Sequence, residues 1–184
     1  CIFGALVGYL SSAQQMFASI YAITDLFPLY FAVLALAVGL TSIINGRMVL
    51  KYGMRLLSRL ALICLTVLSV VFFLYAAQVD GIPSLWMNMT YFIFAFLCFG
   101  LLFGNLNALA MEPLGHIAGI GAAVVGSLST LISAPLGALI GQLFDGTVLP
   151  LVGGFALLAT LALSLMYWTE RGRQDELAIE GSVP

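Results

Sequence analysis

The sequence predicts an all-α membrane protein, a bundle of six transmembrane helices. Hydrophobic residues make up 62% of the 184 residues and charged residues only 8%, whereas soluble domains carry roughly 25% charged residues. The apolar residues fall into six long runs, each close to the ~20 residues with which a helix crosses a bilayer. Helices are expected because lipid offers no partner to backbone N–H and C=O groups, and a helix pairs these groups internally.

The six runs and the connections between them follow in order along the chain. The runs cover residues at about 1–24, 28–46, 57–77, 85–109, 117–141 and 148–168. Residues typical of turns separate them, such as Asp25 and Pro28 in the first connection. From 169 to 184 the composition becomes charged, which predicts a frayed cytosolic tail. Because the first run begins at Cys1 with neither an initiating Met nor a basic leader, we expect the chain to be truncated upstream.

The basic residues are confined to alternate connections and to the end of the chain. They are Arg47, Lys51, Arg55 and Arg59 at the second connection, and Arg171 and Arg173 after the last run. Since cytoplasmic loops retain Lys and Arg, this distribution predicts that both termini lie in the cytoplasm, with a bacterial inner membrane as the expected location. Only six basic residues are present, which argues against a nucleic-acid partner.

Small residues form stripes on two of the helices. The stripes include Gly126, Thr130, Ser133 and Gly137 in the fifth helix, and Gly39 and Ser42 in the second. At about 100° per residue, steps of three and four keep each stripe on one face. Such faces let helix backbones approach closely in lipid, so we expect both stripes to pack against other helices. The third and sixth helices carry no such stripe, which suits lipid-facing positions.

The first and fourth helices carry small and polar residues on one face. These residues are Gly4, Gly8, Ser12, Gln15 and Ser19 in the first helix, and Gly100, Gly104 and Asn107 in the fourth. An amide is costly to expose to lipid, so these faces are predicted to look toward protein or water. The pattern leaves open whether the amides bind a substrate, contact another protein segment or serve helix packing.

Three stretches of the chain carry a resemblance to a known family. They are the basic connection from Asn45 to Arg55, the segment Met111-Glu112-Pro113-Leu114-Gly115-His116-Ile117-Ala118-Gly119, and the glycine-rich segment from Ala134 to Gly141. Together with the six runs, they resemble the C-terminal six-helix half of a major facilitator superfamily transporter, most closely the bicyclomycin-resistance type of drug:proton antiporter. The resemblance covers essentially the whole chain and implies the C-terminal half of that family's fold.

The resemblance implies a cytoplasmic gate in the second connection. The gate residues would be Gly46, Arg47, Lys51, Gly53 and Arg55. Leu50 stands where the family consensus has an acid, and Met54 replaces one of its basic residues. We therefore expect the positive charges of this connection to fix its side of the membrane.

The resemblance also assigns a role to each pair of helices. The first and fourth would line a substrate cavity, the second and fifth would pack against a missing N-terminal six-helix half, and the third and sixth would face lipid. The cavity candidates are Ser12, Gln14, Gln15, Ser19, Phe96, Gly100, Gly104 and Asn107. The packing seam between the halves would comprise Gly39, Ser42, Gly126, Thr130, Ser133 and Gly137.

The predicted function is that of a fragment of a secondary active transporter, which exports small hydrophobic compounds by alternating access with the proton as coupling ion. Every Asp and Glu lies in a connection, at a helix end or in the tail, so the proton-carrying residue is expected in the missing half. The alternative is a noncatalytic membrane subunit that binds a partner through its small-residue stripes. Glu112 and His116 lie one helical turn apart, but no nucleophile or metal-ligand group accompanies them, so no enzyme, cofactor or metal is predicted.

Overall fold

The computed structural model describes residues 1–180, apart from the side chains of His116 and of residues 173–180. The α-helices are α1 (Ile2–Tyr21), α2 (Phe27–Tyr52), α3 (Met54–Gln78), α4 (Leu85–Met111), α5 (Ala118–Gln142) and α6 (Leu149–Glu180). A short 3₁₀ helix, Glu112–Ile117, joins α4 to α5. The all-α prediction is confirmed, since residues 1–180 contain no β-strand.

Five of the helices, α2 to α6, are long and apolar enough to cross a membrane. These helices are typical of an integral membrane protein. The remaining helix, α1, has 20 residues, but two glutamines and three serines lower its mean hydropathy. Its most apolar stretch is therefore more polar than those of α2 to α6, which makes α1 a candidate for a functional helix.

Two helices extend further than the apolar runs predict. α2 ends at Tyr52 instead of residue 46, and α3 follows after the single residue Gly53, whose φ of 78° favours glycine. Glycine within a helix costs about 1 kcal/mol relative to alanine, yet Gly46 lies inside α2, next to Asn45, which bonds across to α4. α6 continues through the charged residues after 168 to Glu180, residues that are themselves good helix formers.

Two pairs of helices run parallel. Gly4 of α1 lies against Leu136 of α5, and about two turns further along α1 Ser11 lies beside Gly141. In the same way, α2 and α4 run together, and their contacts advance from Gly100 beside Thr41 to Asn105 beside Asn45. One pair joins two odd-numbered helices and the other two even-numbered helices, and such pairs are parallel when successive helices cross a membrane alternately.

The other helix contacts are antiparallel. Phe3 and Phe103 meet at one end of α1, with ring centroids 6.1 Å apart, and Tyr21 donates to the Pro83 carbonyl oxygen at the other end (3.0 Å). α3 packs against α4 and α6 in the same antiparallel sense. When α1, α2 and α3 are matched with α4, α5 and α6 in that order, α1 corresponds to α4 and α5 to α2. The parallel pair α1–α5 then corresponds to the parallel pair α4–α2. The packing thus repeats over two triplets of helices.

Aromatic rings fill the space between α1, α4 and α6. Tyr9, Phe92, Phe99 and Phe155 are fully buried, and their ring centroids lie 5.0 to 6.0 Å apart along the cluster. The membrane-length helices differ in how far they share this core. In α4, 44% of the most apolar stretch is buried, against 11% in α2 and 17% in α5. α2 and α5 therefore leave the largest part of their surface without a partner in this chain.

The two ends of the bundle differ in charge. Arg55 and Glu112 form an ion pair (2.6 Å) between the start of α3 and the end of α4, at the end that also carries the other basic residues. At the opposite end, the amide of Val148 donates to the Gly81 carbonyl oxygen (2.9 Å). There the hydroxyl and the backbone amide of Thr147 donate to Asp145, and these bonds hold the pKa of that carboxyl below its usual range.

Candidate functional site

An exposed polar face runs along α1. Ser11, Gln15 and Ser19 follow one another at steps of four and are all exposed, and Gln14 is exposed beside them. The opposite side of the same helix is buried in the aromatic core. The α1 helix therefore turns its apolar side inward and its polar side outward, the reverse of what lipid alone would favour.

The two glutamines of this face have no hydrogen-bond partner for their side chains in the part of the chain that the structure describes. Gln14 and Gln15 are both exposed there. Gln14 lies about 10 Å along the helix from Tyr21, the membrane-end residue of α1, since each residue adds ~1.5 Å. At that depth an unpaired amide in hydrocarbon is costly, so it belongs against water or another protein surface.

Three of the predicted cavity residues lie inside the bundle. Ser12 is buried and donates to the Gly8 carbonyl oxygen (2.8 Å), which is the usual way a serine in a helix satisfies its hydroxyl. Phe96 is buried with its ring 4.9 Å from that of Tyr9. Gly100 packs so closely on α2 that a methyl group there would lie 2.6 Å from the Val38 carbonyl oxygen. These three residues are therefore part of the buried helix packing and are not on the exposed face.

The other predicted residues of α4 are exposed. Gly104 and Asn107 both lie on the surface of α4. The Asn107 side chain donates to the Phe103 carbonyl oxygen of its own helix (3.0 Å), which leaves its oxygen accessible. Of the eight cavity candidates, the structure leaves Gln14, Gln15 and Ser19 open on α1 and these two open on α4.

A cleft of about 1030 Å³ opens at the basic end of the bundle. Its walls come from α3, α4, α5 and α6, and Cys1, Ile2 and Phe3 form part of its lining. α1 begins beside Phe103, whereas α4 continues about 12 Å further to Met111. The cleft therefore lies beyond the first residues of α1, on the side of the basic end. Asn107, Gly126 and Thr130 all line it.

The six predicted seam residues divide into two groups. Gly39 and Gly126 face open space, and Thr130 is exposed and donates to the Gly126 carbonyl oxygen of its own helix (3.0 Å). The remaining three residues make contacts within the bundle: Ser42 donates to Gly100 of α4, Ser133 is buried, and Gly137 touches Val7 of α1. In each stripe, therefore, some small residues contact another helix of this chain, and the others remain free to contact a second partner.

The predicted gate residues lie mostly in helices and not in a loop. Gly46, Arg47 and Lys51 belong to α2, Gly53 forms the junction, and Arg55 begins α3. Their positions differ from the prediction because α2 continues past residue 46. Arg55 is held by Glu112, while the His116 side chain, considered with Glu112 from the sequence, lies outside the described residues.

Two polar pairs escaped the sequence-based prediction. Asn45 and Asn105 exchange hydrogen bonds of 2.8 and 3.0 Å between α2 and α4 and are almost completely buried. Arg59 donates to the Tyr167 hydroxyl oxygen (3.2 Å) between α3 and α6. Both asparagines interrupt long apolar runs, and that interruption was the available signal, because a lone amide in such a run requires a partner.

The long apolar helices are those of a membrane protein, and polar residues are exposed on two of the helices, α1 and α4. Comparison with protein-family models, with curated proteins and with solved structures finds no match to this chain. Its function is therefore argued from its own residues.

Proposed function

We propose that the chain is one six-helix half of a secondary transporter of the major facilitator type. In this proposal it moves small hydrophobic compounds by alternating access between this half and a second six-helix half. The observation that carries the proposal is the pair of unpartnered amides, Gln14 and Gln15, on the exposed face of α1. A polar face at this depth suits a water-filled or substrate-filled cavity between two halves.

The positions of the least buried helices support this assignment. α2 and α5 pack against α4 and α1, the two helices with open polar residues, and they are the least buried of the membrane-length helices. A second half that covered α2 and α5 would enclose the α1 and α4 faces between the two halves. The open glycines Gly39 and Gly126 would allow its helices to approach closely.

The repeated packing of the two helix triplets agrees with the same proposal. Many transporters consist of three-helix repeats of opposite orientation, and their binding sites lie where the repeats meet. Here the α1–α5 pair corresponds to the α4–α2 pair, and the exposed polar residues lie on the equivalent helices α1 and α4.

Proton coupling would require an acidic group contributed by the second half. Within the described side chains, the acidic residues are Asp25, Asp80, Glu112 and Asp145, in or next to the connections, and Glu170, which follows the apolar part of α6. None of these groups lies at the depth of Gln14. The carrier of the coupling proton is therefore proposed to be outside this chain.

A transport assay with the full-length protein tests the proposal. Reconstituted vesicles would be given a proton gradient and a panel of lipophilic dyes, and the rate of dye movement would be measured. We expect Gln15→Leu to slow transport or raise the KM of at least one dye, because it removes an amide from the cavity wall. Thr160→Val, on the exposed surface of α6, is the matched control and should transport normally.

Two outcomes of this assay would contradict the proposal. They are no movement of any dye by the wild-type protein, and equal behaviour of the Gln15 variant and its control. A protein that moved no solute but bound a membrane partner through α2 and α5 would instead be the noncatalytic subunit considered above.

We also propose that the basic end of the bundle lies in the cytoplasm of a bacterial cell, with both chain ends on that side. The segregation of Arg and Lys to this end supports the orientation. Cysteines introduced at Lys51 and at Ile82 would test it, since an impermeant thiol reagent added to intact cells should label only the position at residue 82. Labelling of residue 51 alone would reverse the orientation.

A further inference from the structure

Arg59 of α3 and Tyr167 of α6 meet at the outer surface of the basic end, and Arg171 lies near them on α6. The Arg59 guanidinium lies 5.0 Å from the centre of the Tyr167 ring and donates through Nε to its hydroxyl. Arg171 follows Tyr167 by four residues on α6, so it lies one turn further on the same face. We call Arg59, Tyr167 and Arg171 the α3–α6 cationic site.

Arg59 forms no ion pair with any carboxylate whose side chain the structure describes. Among the described side chains, the one ion pair is Arg55–Glu112, and Arg59 is exposed beyond it. Only its Nε is used by Tyr167, and a guanidinium has five N–H donors in a planar fork that suits phosphate oxygens. The contact with the tyrosine ring fixes the orientation of this fork.

Two exposed apolar stripes lead to this site. On α3 the stripe consists of Leu56, Leu60, Val67, Val71 and Leu74, and on α6 of Leu157, Leu161, Leu165 and Trp168. Because α3 and α6 are packed antiparallel, both stripes reach the basic end side by side. Trp168 is 73% exposed there, and exposed tryptophans favour the level of the lipid headgroups.

We infer that the α3–α6 cationic site binds the phosphate of an anionic phospholipid, whose acyl chains lie along the two apolar stripes. Charge, donor geometry and the adjoining apolar surface are matched by this one class of ligand. A free phosphate would use the arginines but not the stripes, and a zwitterionic lipid would bring its own cation against them. The inference does not depend on transport.

Native mass spectrometry of the full chain in detergent tests the inference. The protein would be mixed with equal amounts of phosphatidylglycerol and phosphatidylcholine of identical acyl chains, and the two bound populations compared. We expect the wild-type protein to retain phosphatidylglycerol preferentially. Each basic residue near a membrane surface is worth about 1 kcal/mol toward anionic lipid, so Arg59→Gln should lower retention about fivefold and Arg59→Gln with Arg171→Gln about 25-fold.

Two further variants and a competition experiment with glycerol phosphate serve as controls for this test. Arg47→Gln removes the same charge at the same end from α2, where no aromatic ring holds the arginine, and should leave retention nearly unchanged. Arg59→Lys keeps the charge and should retain more lipid than Arg59→Gln, while circular dichroism verifies that each variant is folded. Equal loss in the Arg47 and Arg59 variants, no headgroup preference, or displacement by glycerol phosphate at the lipid's own concentration would overturn the inference.

Discussion

The α1–α5 and α2–α4 contacts are the two parallel contacts of the bundle, and they are built from different residues. In α1–α5, the side chain of Ile140 packs against Gly8, and Gly137 lies against Val7. The Ser11 hydroxyl lies 3.4 Å from the Gly137 carbonyl oxygen of α5, but its closer acceptor is the Val7 carbonyl oxygen of its own helix (2.5 Å).

The α2–α4 contact combines a glycine with a pair of amides. Gly100 lies directly under the Val38 carbonyl oxygen, and Asn45 and Asn105 exchange two hydrogen bonds nearby. Close packing of glycine sets how near two helices come, whereas a reciprocal amide pair also sets their register, because it forms at one position only. We expect α1–α5 to depend on shape and α2–α4 on shape and register.

The largest effect is expected from Gly137→Ala in α5. Its methyl group would meet the Val7 side chain and lie 2.8 Å from the Gly8 backbone nitrogen. Overpacking of this kind costs about 1–3 kcal/mol, measured as a lower unfolding midpoint in mixed micelles. Gly126→Ala, in the open part of the same helix, is the control and should be neutral or more stable by up to about 1 kcal/mol. Equal stability of the two variants would contradict the α1–α5 contact.

A smaller effect is expected when the amide pair of the α2–α4 contact is broken. Asn45→Leu leaves the buried Asn105 amide without its partner, and interhelical hydrogen bonds in membrane proteins contribute about 0.6–1.7 kcal/mol. Asn45→Leu with Asn105→Leu should recover part of the loss, because no unpaired amide remains. A double-mutant cycle on the unfolding free energy measures the coupling, and additive losses would show that the two amides do not interact.

The ion pair between the start of α3 and the end of α4 should contribute less. Arg55 and Glu112 have side chains exposed by 36% and 52%, and pairs of this kind contribute about 0.2–1 kcal/mol. Glu112→Gln should therefore lower the unfolding free energy slightly at low salt and hardly at all at 1 M salt. A loss that persisted at high salt would mean that Glu112 has another role.

The smallest effect is expected beyond α5, where Thr147 donates to Asp145. These bonds lower the pKa of Asp145 in the folded protein. A carboxyl whose folded pKa is depressed adds stability above its unfolded pKa of about 3.9, and this stability is lost as pH falls through the folded value. Wild-type protein should lose more stability than Asp145→Asn when unfolding is compared at pH 5 and near pH 3. An identical pH dependence would contradict the contribution.

The parts of the fold that followed from sequence are those that depend on composition. Apolar runs and turn residues predict helices because lipid leaves the backbone no alternative, and the all-α architecture follows. Gly46 and Gly53 show where this reasoning ends, since the second run was expected to end at Gly46, whereas α2 continues through it and only Gly53 has the positive φ that favours glycine. The pairing of the neighbouring Asn45 with Asn105 of α4, 60 residues away, likewise does not follow from the local pattern.

The candidate site could be predicted only in part for a related reason. Periodicity placed Ser12 and Gln15 on one side of α1, but they are three residues apart, and Ser12 is buried while Gln15 is exposed. The boundary between the two sides is set by where α4 and α5 pack. Gly137 likewise belonged to a stripe whose partner, α1, could not be chosen from the pattern.

The two glutamines of α1 are consecutive, and this has a geometric consequence. Neighbouring residues of a helix diverge by about 100° around its axis, so Gln14 and Gln15 point toward different sectors. A surface or solute that contacts both amides therefore has to cover about 100° of the circumference of α1, whereas Gln15 and Ser19, four residues apart, differ by only about 40°. A solute held by both glutamines would lie across α1 and not along a single line of it.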